Sequence, residues 1–160
     1  MLRLMIILVR AVFQPVTAAS LDRLLVFQSG LYAAESIPFD SVRARGSAVW
    51  LLEHRDDGAI WLIEANGQAA GYLVLTVCVS LEFHGRFALL DELFLDEPYR
   101  AHGLGRQAVE FAARWAGSQG MHALRLEAGH ENAAALGLYR KCGFLGHGRQ
   151  VLTKWLDSSS

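Results

Sequence analysis

Hydrophobic and polar residues along the chain follow two spacings. Apolar side chains recur every three or four residues where a helix is expected, as in the stripe of Leu104, Ala108, Phe111, Ala112 and Trp115. Helices are predicted at about residues 17–34, 39–54, 104–117 and 133–141. Runs of β-branched and apolar residues predict strands at about 9–13, 59–64, 68–80, 89–95, 123–128 and 146–155. This order predicts an α/β fold, a mixed sheet with helices on both faces.

One hairpin can be placed from its turn residues. Asn66 and Gly67 separate the second and third predicted strands, and this dipeptide supplies the left-handed backbone angles that a tight hairpin requires. The run 71–79 that follows is long and apolar, as expected of a central strand.

The stretch 89–106 carries the main functional signal. Its apolar run is interrupted by the adjacent acids Asp91 and Glu92, and Pro98 ends the strand. A loop with Gly103 and Gly105 then opens a helix, and a helix N-terminus presents unpaired N–H groups that suit a pyrophosphate. Neither the Walker nor the dinucleotide-binding glycine pattern is matched. The alternative is a strand-to-helix turn that uses glycine only for its backbone angles.

Composition narrows the class of protein. The chain has 160 residues, which predicts a single domain spanning 1–160, with a core at about 9–156. A formal net charge of −1 gives no electrostatic reason to expect nucleic acid or a membrane surface as a partner. Two cysteines and six scattered histidines predict neither a disulfide framework nor a metal site. The apolar start, 1–9, is short and is interrupted by Arg10, so we expect a cytoplasmic protein whose true start is open.

Two motifs together resemble the GNAT superfamily, the acetyl-CoA-dependent N-acetyltransferases. The segment from Arg100 to Gly105 is similar to the family's Gln/Arg-x-x-Gly-x-Gly/Ala signature, and the segment from Asn132 to Phe144 is similar to its second motif, an Asn followed by a helix that ends in Leu-Tyr-x-x-x-Gly-Phe. The resemblance implies a mostly antiparallel sheet of six to seven strands, splayed between strands four and five.

The resemblance also implies a binding site for acetyl-CoA. The family's loop cradles the coenzyme pyrophosphate, and its bulged fourth strand pairs with pantetheine. Carried over, the cofactor-binding residues are Leu93, Phe94, Leu95, Arg100, Ala101, His102, Gly103, Leu104, Gly105, Arg106, Asn132 and Tyr139. A backbone N–H of residues 93–95 would also polarise the thioester carbonyl.

Two side chains are the catalytic candidates. Glu92 matches an acidic position of many family members, and burial would make a carboxylate a better proton acceptor from the substrate ammonium. The alternatives are a solvated or salt-bridged strand carboxylate, Glu127 as the base, or a water chain. Asp91 is expected on the opposite face unless a bulge intervenes. Tyr139 matches the family's helix tyrosine, the general acid for the leaving thiolate.

The expected function is N-acetylation of a primary amine of a small molecule or peptide, by direct attack in a ternary complex. Glu82, Phe83 and Asp91 are the substrate-binding candidates, since they could receive a cationic amine. The competing interpretations are a non-catalytic acyl-CoA-binding or sensing module on the same fold and, more remotely, a nucleotide-binding loop. A homodimer is expected if the apolar ends, 2–9 and 151–156, pair across subunits, although both ends could equally be core.

Overall fold

The computed structural model describes residues 9–156 and contains one five-stranded sheet. The strands are β1 (Ala11–Pro15), β2 (Gly58–Ala65), β3 (Gln68–Ser80), β4 (Gly85–Leu95) and β5 (Leu124–Leu126). They lie side by side in chain order, with β1 to β4 antiparallel and β5 parallel to β4. The prediction of a mixed, mostly antiparallel sheet is confirmed.

Four α-helices cover the sheet. They are α1 (Leu21–Ala34), α2 (Ser41–Glu53), α3 (Leu104–Ser118) and α4 (Ala133–Lys141), with single 3-10 turns at Ala18–Ser20 and Glu97–Tyr99. The Asp40 carboxylate caps α2 by accepting from the N–H groups of Val42 and Arg43. All four helices were predicted near these bounds.

The predicted count of six to seven strands is wrong for the described part of the chain. Residues 146–155 form no strand, and the side chains of Leu152 and Trp155 are 87% and 86% exposed. A run of β-branched and apolar residues forms a strand only where a sheet edge accepts its hydrogen bonds, and among the described residues no strand of the sheet pairs with this stretch. Any strand before residue 9 lies outside the described residues. The pairing of the two ends across subunits stays a prediction.

The Asn66-Gly67 hairpin is confirmed. Asn66 and Gly67 have φ angles of 53° and 75°, and Ala65 pairs with Gln68 across the turn. These left-handed angles are those of a two-residue turn that matches the twist of the flanking strands.

The core has one layer on each side of the sheet. Buried residues of α1, α2 and the sheet pack together on one face, among them Leu24, Leu51, Tyr72 and Phe94. On the other face α3 packs against the sheet through Leu104, Ala108, Val109 and Ala112. We call these the α1 face and the α3 face.

A bulge in β4 decides which face Glu92 occupies. Leu75 of β3 pairs with Leu90, but the neighbouring Val74 pairs with Glu92, so Asp91 is an extra residue. Leu90 packs on the α3 face, whereas Phe94, an even number of residues later, packs on the α1 face. The extra residue therefore moves Glu92 to the α1 face.

The sheet opens beyond this bulge. Pairing between β4 and β5 covers Ala88–Leu90 with Leu124–Leu126, while β4 itself continues to Leu95. The splay between strands four and five is thus present, and its mouth is the stretch 92–95.

Candidate active site

The Glu92 carboxylate is the centre of a polar cluster on the α1 face. Oε1 accepts a 2.8 Å hydrogen bond from the Tyr32 hydroxyl, and Oε2 accepts one of 2.8 Å from the Tyr72 hydroxyl. The Gln28 amide donates to Oε2 at 3.1 Å and approaches Oε1 at 3.4 Å. Gln28 and Tyr32 lie one turn apart on α1, and Tyr72 lies on β3, so two elements fix the side chain.

Both tyrosines of the cluster are held in the protonated form. Desolvation by burial raises the pKa of Tyr32. The hydrogen bond to Glu92 and the negative charge of Glu92 raise it further. Desolvation, followed by the same charge and hydrogen bond, raises the pKa of Tyr72, which is fully buried. A protonated phenol is a donor, so both hydroxyls point their protons at the carboxylate.

Acidic neighbours surround the cluster. Desolvation raises the pKa of Asp91, and repulsion by Glu92 and then Glu127 adds to the shift, although the Asp91 side chain keeps contact with solvent. The three carboxylates therefore share one region at the mouth of the splay. This arrangement attracts a cation.

The β4 edge presents free backbone groups beside Glu92. The Asp96 N–H donates to Ala70 of β3, and the Phe94 carbonyl faces Gly71, where an added Cβ would lie 2.0 Å from its oxygen. By strand alternation the backbone groups of Leu93 and Leu95 then point away from β3, into the splay. The Leu95 carbonyl accepts from Arg100 Nε at 2.8 Å, which leaves the N–H groups of Leu93 and Leu95 and the Leu93 carbonyl as pairing groups.

The loop before α3 forms an uncapped helix N-terminus. Gly103 is the N-cap residue, at φ 79°, and offers no side chain to the first N–H groups of the helix. Ala101 adopts φ 61°, a left-handed conformation that costs an alanine roughly 1–2 kcal/mol. The first N–H groups of a helix have no partner within the helix, so an uncapped N-terminus of this kind suits an anion.

The basic side chains near this loop are exposed and differ in their contacts. Besides its bond to Leu95, the Arg100 guanidinium lies 5.5 Å from the centre of the Phe94 ring. Arg106 pairs with Glu110 at 2.8 Å, and His102 is exposed in the turn. Arg100 thus ties the loop to the end of β4.

Helix α4 carries the second predicted motif. The Asn132 side chain accepts from the Ala135 N–H at 3.1 Å and thereby caps the helix. Tyr139 is half-buried and packs edge-on against Phe144, with ring centres 5.8 Å apart. Desolvation, followed by the charges of Glu35 and Cys142, raises the pKa of Tyr139, so its hydroxyl keeps its proton.

Glu82 and Phe83 lie elsewhere. They occupy the turn between β3 and β4, roughly 20 Å along the strand from Glu92. Arg149 binds Glu82 with two hydrogen bonds of 2.8 and 3.2 Å, and these lower the pKa of the Glu82 carboxyl. Among the predicted substrate-binding residues, only Asp91 is close to Glu92.

Three cluster residues were missed as functional residues. Gln28 and Tyr32 lie in the predicted helix 17–34, and Tyr72 lies in the long apolar run 71–79, but the sequence analysis assigned none of them to the site. A usable signal was present, because Gln28 and Tyr32 place polar atoms on an otherwise apolar helix face. Buried polar atoms need partners, and Glu92 supplies the acceptor.

Two features are absent from residues 9–156, the part of the chain that the structure describes. In that part of the chain, no group of three or more His, Cys, Asp or Glu side chains lies close enough to hold a metal ion. None of its helices is long and apolar enough to cross a membrane.

Comparison with known sequences finds one family. The sequence profile of the acetyltransferase (GNAT) family matches residues 29–144. An uncharacterised N-acetyltransferase of Methanocaldococcus jannaschii is 28% identical over 114 residues, which is 71% of this chain and 49% of the relative. The chain spans about half the length of the curated relatives it matches.

Solved structures share the fold over nearly the whole chain. An integron cassette protein from a salt-marsh mobile metagenome has a TM-score of 0.80 and 27% identity, covering 91% of this chain and 90% of the other. An aminoglycoside N-acetyltransferase solved in complex with CoA has a TM-score of 0.77 and 15% identity, covering 93% and 97%. At that identity, the second likeness concerns the fold alone.

Proposed function

Because the chain belongs to the acetyltransferase (GNAT) family, we propose that it transfers the acetyl group of acetyl-CoA to a primary amine of a small molecule or peptide. The amine attacks directly, in a complex that holds both substrates. The observation that carries this proposal is the splay at β4, which brings a half-buried carboxylate, Glu92, next to unpaired backbone N–H groups.

The coenzyme side of the cleft fits acetyl-CoA. The uncapped N-terminus of α3, with Ala101 to Arg106, is suited to the pyrophosphate, because the helix dipole and unpaired N–H groups favour a diphosphate anion. Leu93 and Leu95 offer strand-like pairing groups to the pantetheine amides. Asn132 and the exposed Arg100 and His102 complete the proposed contacts. Acetyl-CoA supplies the thioester carbonyl as the electrophile.

Glu92 is the proposed general base. A free alkylammonium has a pKa of about 10, so it must lose a proton before its nitrogen can attack. Glu92 accepts that proton directly or through one water molecule. The Leu93 N–H points into the splay beside Glu92. It donates a hydrogen bond to the thioester carbonyl oxygen as negative charge develops on that oxygen.

Tyr139 is the proposed general acid. When the carbon–sulfur bond breaks, the sulfur leaves as a thiolate that needs a proton. A tyrosine whose pKa is raised by desolvation holds its proton until such a base appears. The position of Tyr139 on α4, with its polar end in a half-buried environment, supports this role.

The proposed acceptor is a cationic amine. Asp91, Glu92 and Glu127 give the mouth of the splay a negative potential, which attracts an ammonium group. Glu82 and Phe83 are too far away to bind the same amine as Glu92, so a role for them would require a long acceptor.

The test is thiol release from acetyl-CoA across a panel of polyamines, amino acids, aminoglycosides and peptides. For an amine that is turned over, Glu92→Gln should lower kcat/KM by about 10²–10⁴-fold, the usual contribution of a general base. Tyr139→Phe should lower kcat more than it changes KM. Tyr99→Phe, a tyrosine of the turn before the loop, is the matched control and should leave both unchanged.

The competing function, a non-catalytic acyl-CoA-binding module, gives a different result. It predicts acetyl-CoA binding by calorimetry with no thiol release above background on any amine. It also predicts that Glu92→Gln and Tyr139→Phe bind acetyl-CoA as the parent protein does. That combination would overturn the catalytic proposal.

A further inference from the structure

The α1 face of β4 continues on the N-terminal side of the bulge as an apolar strip. Leu90 and Ala88 pack toward α3, so by strand alternation Phe87 and Leu89 lie on the α1 face. Among the described residues, Phe94 alone joins β4 to the apolar cluster under α1 and α2, so Phe87 and Leu89 lie outside that cluster. Leu89 keeps partial contact with solvent. An apolar surface without a helix over it therefore leads away from the bulge.

A cation of β5 lies beside this strip. Arg125 pairs in register with Leu89, and its neighbours Leu124 and Leu126 pack toward α3, so the Arg125 side chain belongs to the α1 face. Arg125 is half-buried, and among residues 9–156 no carboxylate lies close enough to its guanidinium to form an ion pair. Partial burial of a charge without a partner is unfavourable. This guanidinium is therefore suited to the anionic group of a bound molecule.

The charge at the Arg125 end of the strip is positive. The hydrogen bonds and the charge of Arg149 lower the pKa of the Glu82 carboxyl, and the charges of Arg125 and His147 lower it further, so these groups are neighbours. Arg149 already occupies both oxygens of Glu82, at 2.8 and 3.2 Å. Two guanidinium groups therefore face one carboxylate, and the excess positive charge at this end favours an anion.

The charge at the bulge end of the strip is negative. Desolvation, followed by the charges of Glu92 and Glu127, raises the pKa of Asp91, so the three carboxylates lie near one another. Glu127 follows Arg125 by two residues, which by alternation places both on the α1 face. The surface thus has acids at one end, an apolar middle and a cation at the other end. We call this surface, from Glu92 over Leu89 to Arg125, the bipolar cleft.

We propose that the bipolar cleft binds the acceptor as a zwitterion: the amine lies at Glu92, an apolar spacer lies over Leu89, and a carboxylate binds Arg125. This inference rests on the proposed function and names the class of its acceptor, an ω-amino carboxylate. A guanidinium matches a carboxylate because its planar N–H groups can donate two parallel hydrogen bonds. Complementary charge at both ends also fixes the direction in which the acceptor lies.

The strand register sets the length of the acceptor. Arg125 lies opposite Leu89, one strand spacing of about 4.8 Å away, and Glu92 lies three residues farther along β4, at most about 10 Å. The Cα atoms of Glu92 and Arg125 are therefore at most about 11 Å apart. In an α-amino acid the two charged groups are only about 3 Å apart, so it cannot reach both ends. An extended ω-amino carboxylate of about six carbons spans roughly 7–8 Å and, with a hydrogen bond at each end, fits the cleft.

Three amines with the same number of carbons test the carboxylate. They differ only at the far end of the chain: ε-aminocaproate ends in a carboxylate, hexylamine in a methyl group and hexamethylenediamine in a second ammonium. We expect ε-aminocaproate to have the highest kcat/KM for thiol release from acetyl-CoA, by about 10–100-fold, the effect of one charge-assisted hydrogen-bonded pair. Glycine, which carries the same two charges close together, should be a poorer acceptor than ε-aminocaproate.

Substitutions of Arg125 test the residue itself. Arg125→Gln should raise KM for ε-aminocaproate about 10–100-fold and leave KM for hexylamine and acetyl-CoA within about twofold of the parent values. Arg125→Glu should reverse the preference, so that hexamethylenediamine becomes a better acceptor than ε-aminocaproate. Arg114→Gln makes the same change at an exposed residue of α3, outside the cleft, and should alter none of these values.

The outcomes separate this inference from the proposed function. Equal kcat/KM for ε-aminocaproate and hexylamine, unaffected by Arg125→Gln, would overturn the zwitterionic acceptor and leave the proposed acetyl transfer intact. If no amine is turned over, the proposed function fails, and calorimetric titration with ε-aminocaproate, with and without coenzyme A, decides the inference. Binding that weakens about tenfold or more in Arg125→Gln supports the bipolar cleft. No binding, or equal binding by the parent protein and Arg125→Gln, overturns it.

Discussion

Glu82 and Glu92 stand near the two ends of β4, and each accepts several hydrogen bonds. Glu82 receives them from the Arg149 guanidinium at an exposed turn, so its charge is neutralised by a cation and screened by water. Glu92 receives them from two phenols and an amide in a half-buried site. The same residue type is thus a surface ion-pair partner at one end and an acceptor of hydrogen bonds from neutral groups at the other. The proposed function assigns the role of base only to the second.

Local backbone geometry produces the difference. Glu82 lies in a turn, where a long basic side chain can reach it from the C-terminal segment. Glu92 follows the bulge at Asp91, which shifts the phase of the strand and directs the side chain toward α1 and β3. Without the extra residue, Glu92 would lie on the α3 face, among apolar side chains.

The largest effect expected from this comparison concerns stability. Glu92→Leu leaves the hydroxyls of Tyr32 and Tyr72 and the Gln28 amide without their acceptor, and buried donors without partners are costly. We expect the free energy of unfolding to fall by about 2–4 kcal/mol, measured by urea denaturation. Glu82→Leu, the matched change at the exposed end, should leave the urea midpoint almost unchanged.

A second substitution tests whether donors left without an acceptor cause this loss of stability. If stranded donors are responsible, adding Tyr72→Phe to Glu92→Leu should recover stability, because the most deeply buried of those hydroxyls is then gone. In the parent protein, Tyr72→Phe should destabilise instead. The same sign in both backgrounds would show that the carboxylate does not organise the cluster.

Much of the fold could be predicted from the sequence because local rules dominate it. The helix stripe at 104–115, the Asn66-Gly67 turn and the Asn132 cap each depend on neighbouring residues, and the structure has all three. The stretch 146–155 shows where such rules fail. Whether it forms a strand depends on a distant sheet edge, and the residues of the stretch carry no information about that edge.

The candidate site also has one part that the sequence indicates and another part that only the structure shows. The glycine loop and Tyr139 lie in contiguous motifs, so the sequence could indicate them. The partners of Glu92 come from α1 and β3, 60 or more and 20 residues away along the chain, and the bulge that turns Glu92 toward them has no distinct residue signature. Long-range pairing of polar atoms therefore had to be read from the structure.

A third prediction concerns the charge of Asp91, which precedes Glu92 on β4. Its pKa is raised by desolvation and by Glu92 and Glu127, so ionised Asp91 opposes folding. Asp91→Asn should therefore raise the melting temperature at pH 7, by about 1–2 °C given the exposure of the side chain. Differential scanning calorimetry from pH 3 to pH 8 is the measurement.

The sign of the pH dependence follows from linkage. A carboxyl whose pKa is higher in the folded than in the unfolded protein favours folding most below its unfolded value, and this contribution is lost as the pH rises through the folded value. The advantage of Asp91→Asn should hence disappear below about pH 4, the ordinary range of an aspartic acid. An advantage that persists at pH 3 would assign the effect to something other than charge.

The smallest effect is expected at the exposed glutamate. Arg149→Gln removes the guanidinium that binds Glu82, but both side chains are well exposed, so the melting temperature should change by less than about 1 °C at low salt. In about 0.5 M NaCl the difference should vanish, since exposed charges are screened over a few ångströms. A loss of several degrees that survives high salt would mean that Arg149 anchors the exposed segment 146–156 to the sheet through packing. The pair of Arg149 and Glu82 would then stabilise the fold. Glu82 would differ from Glu92 only in that its hydrogen-bond donor is charged, whereas the donors to Glu92 are neutral.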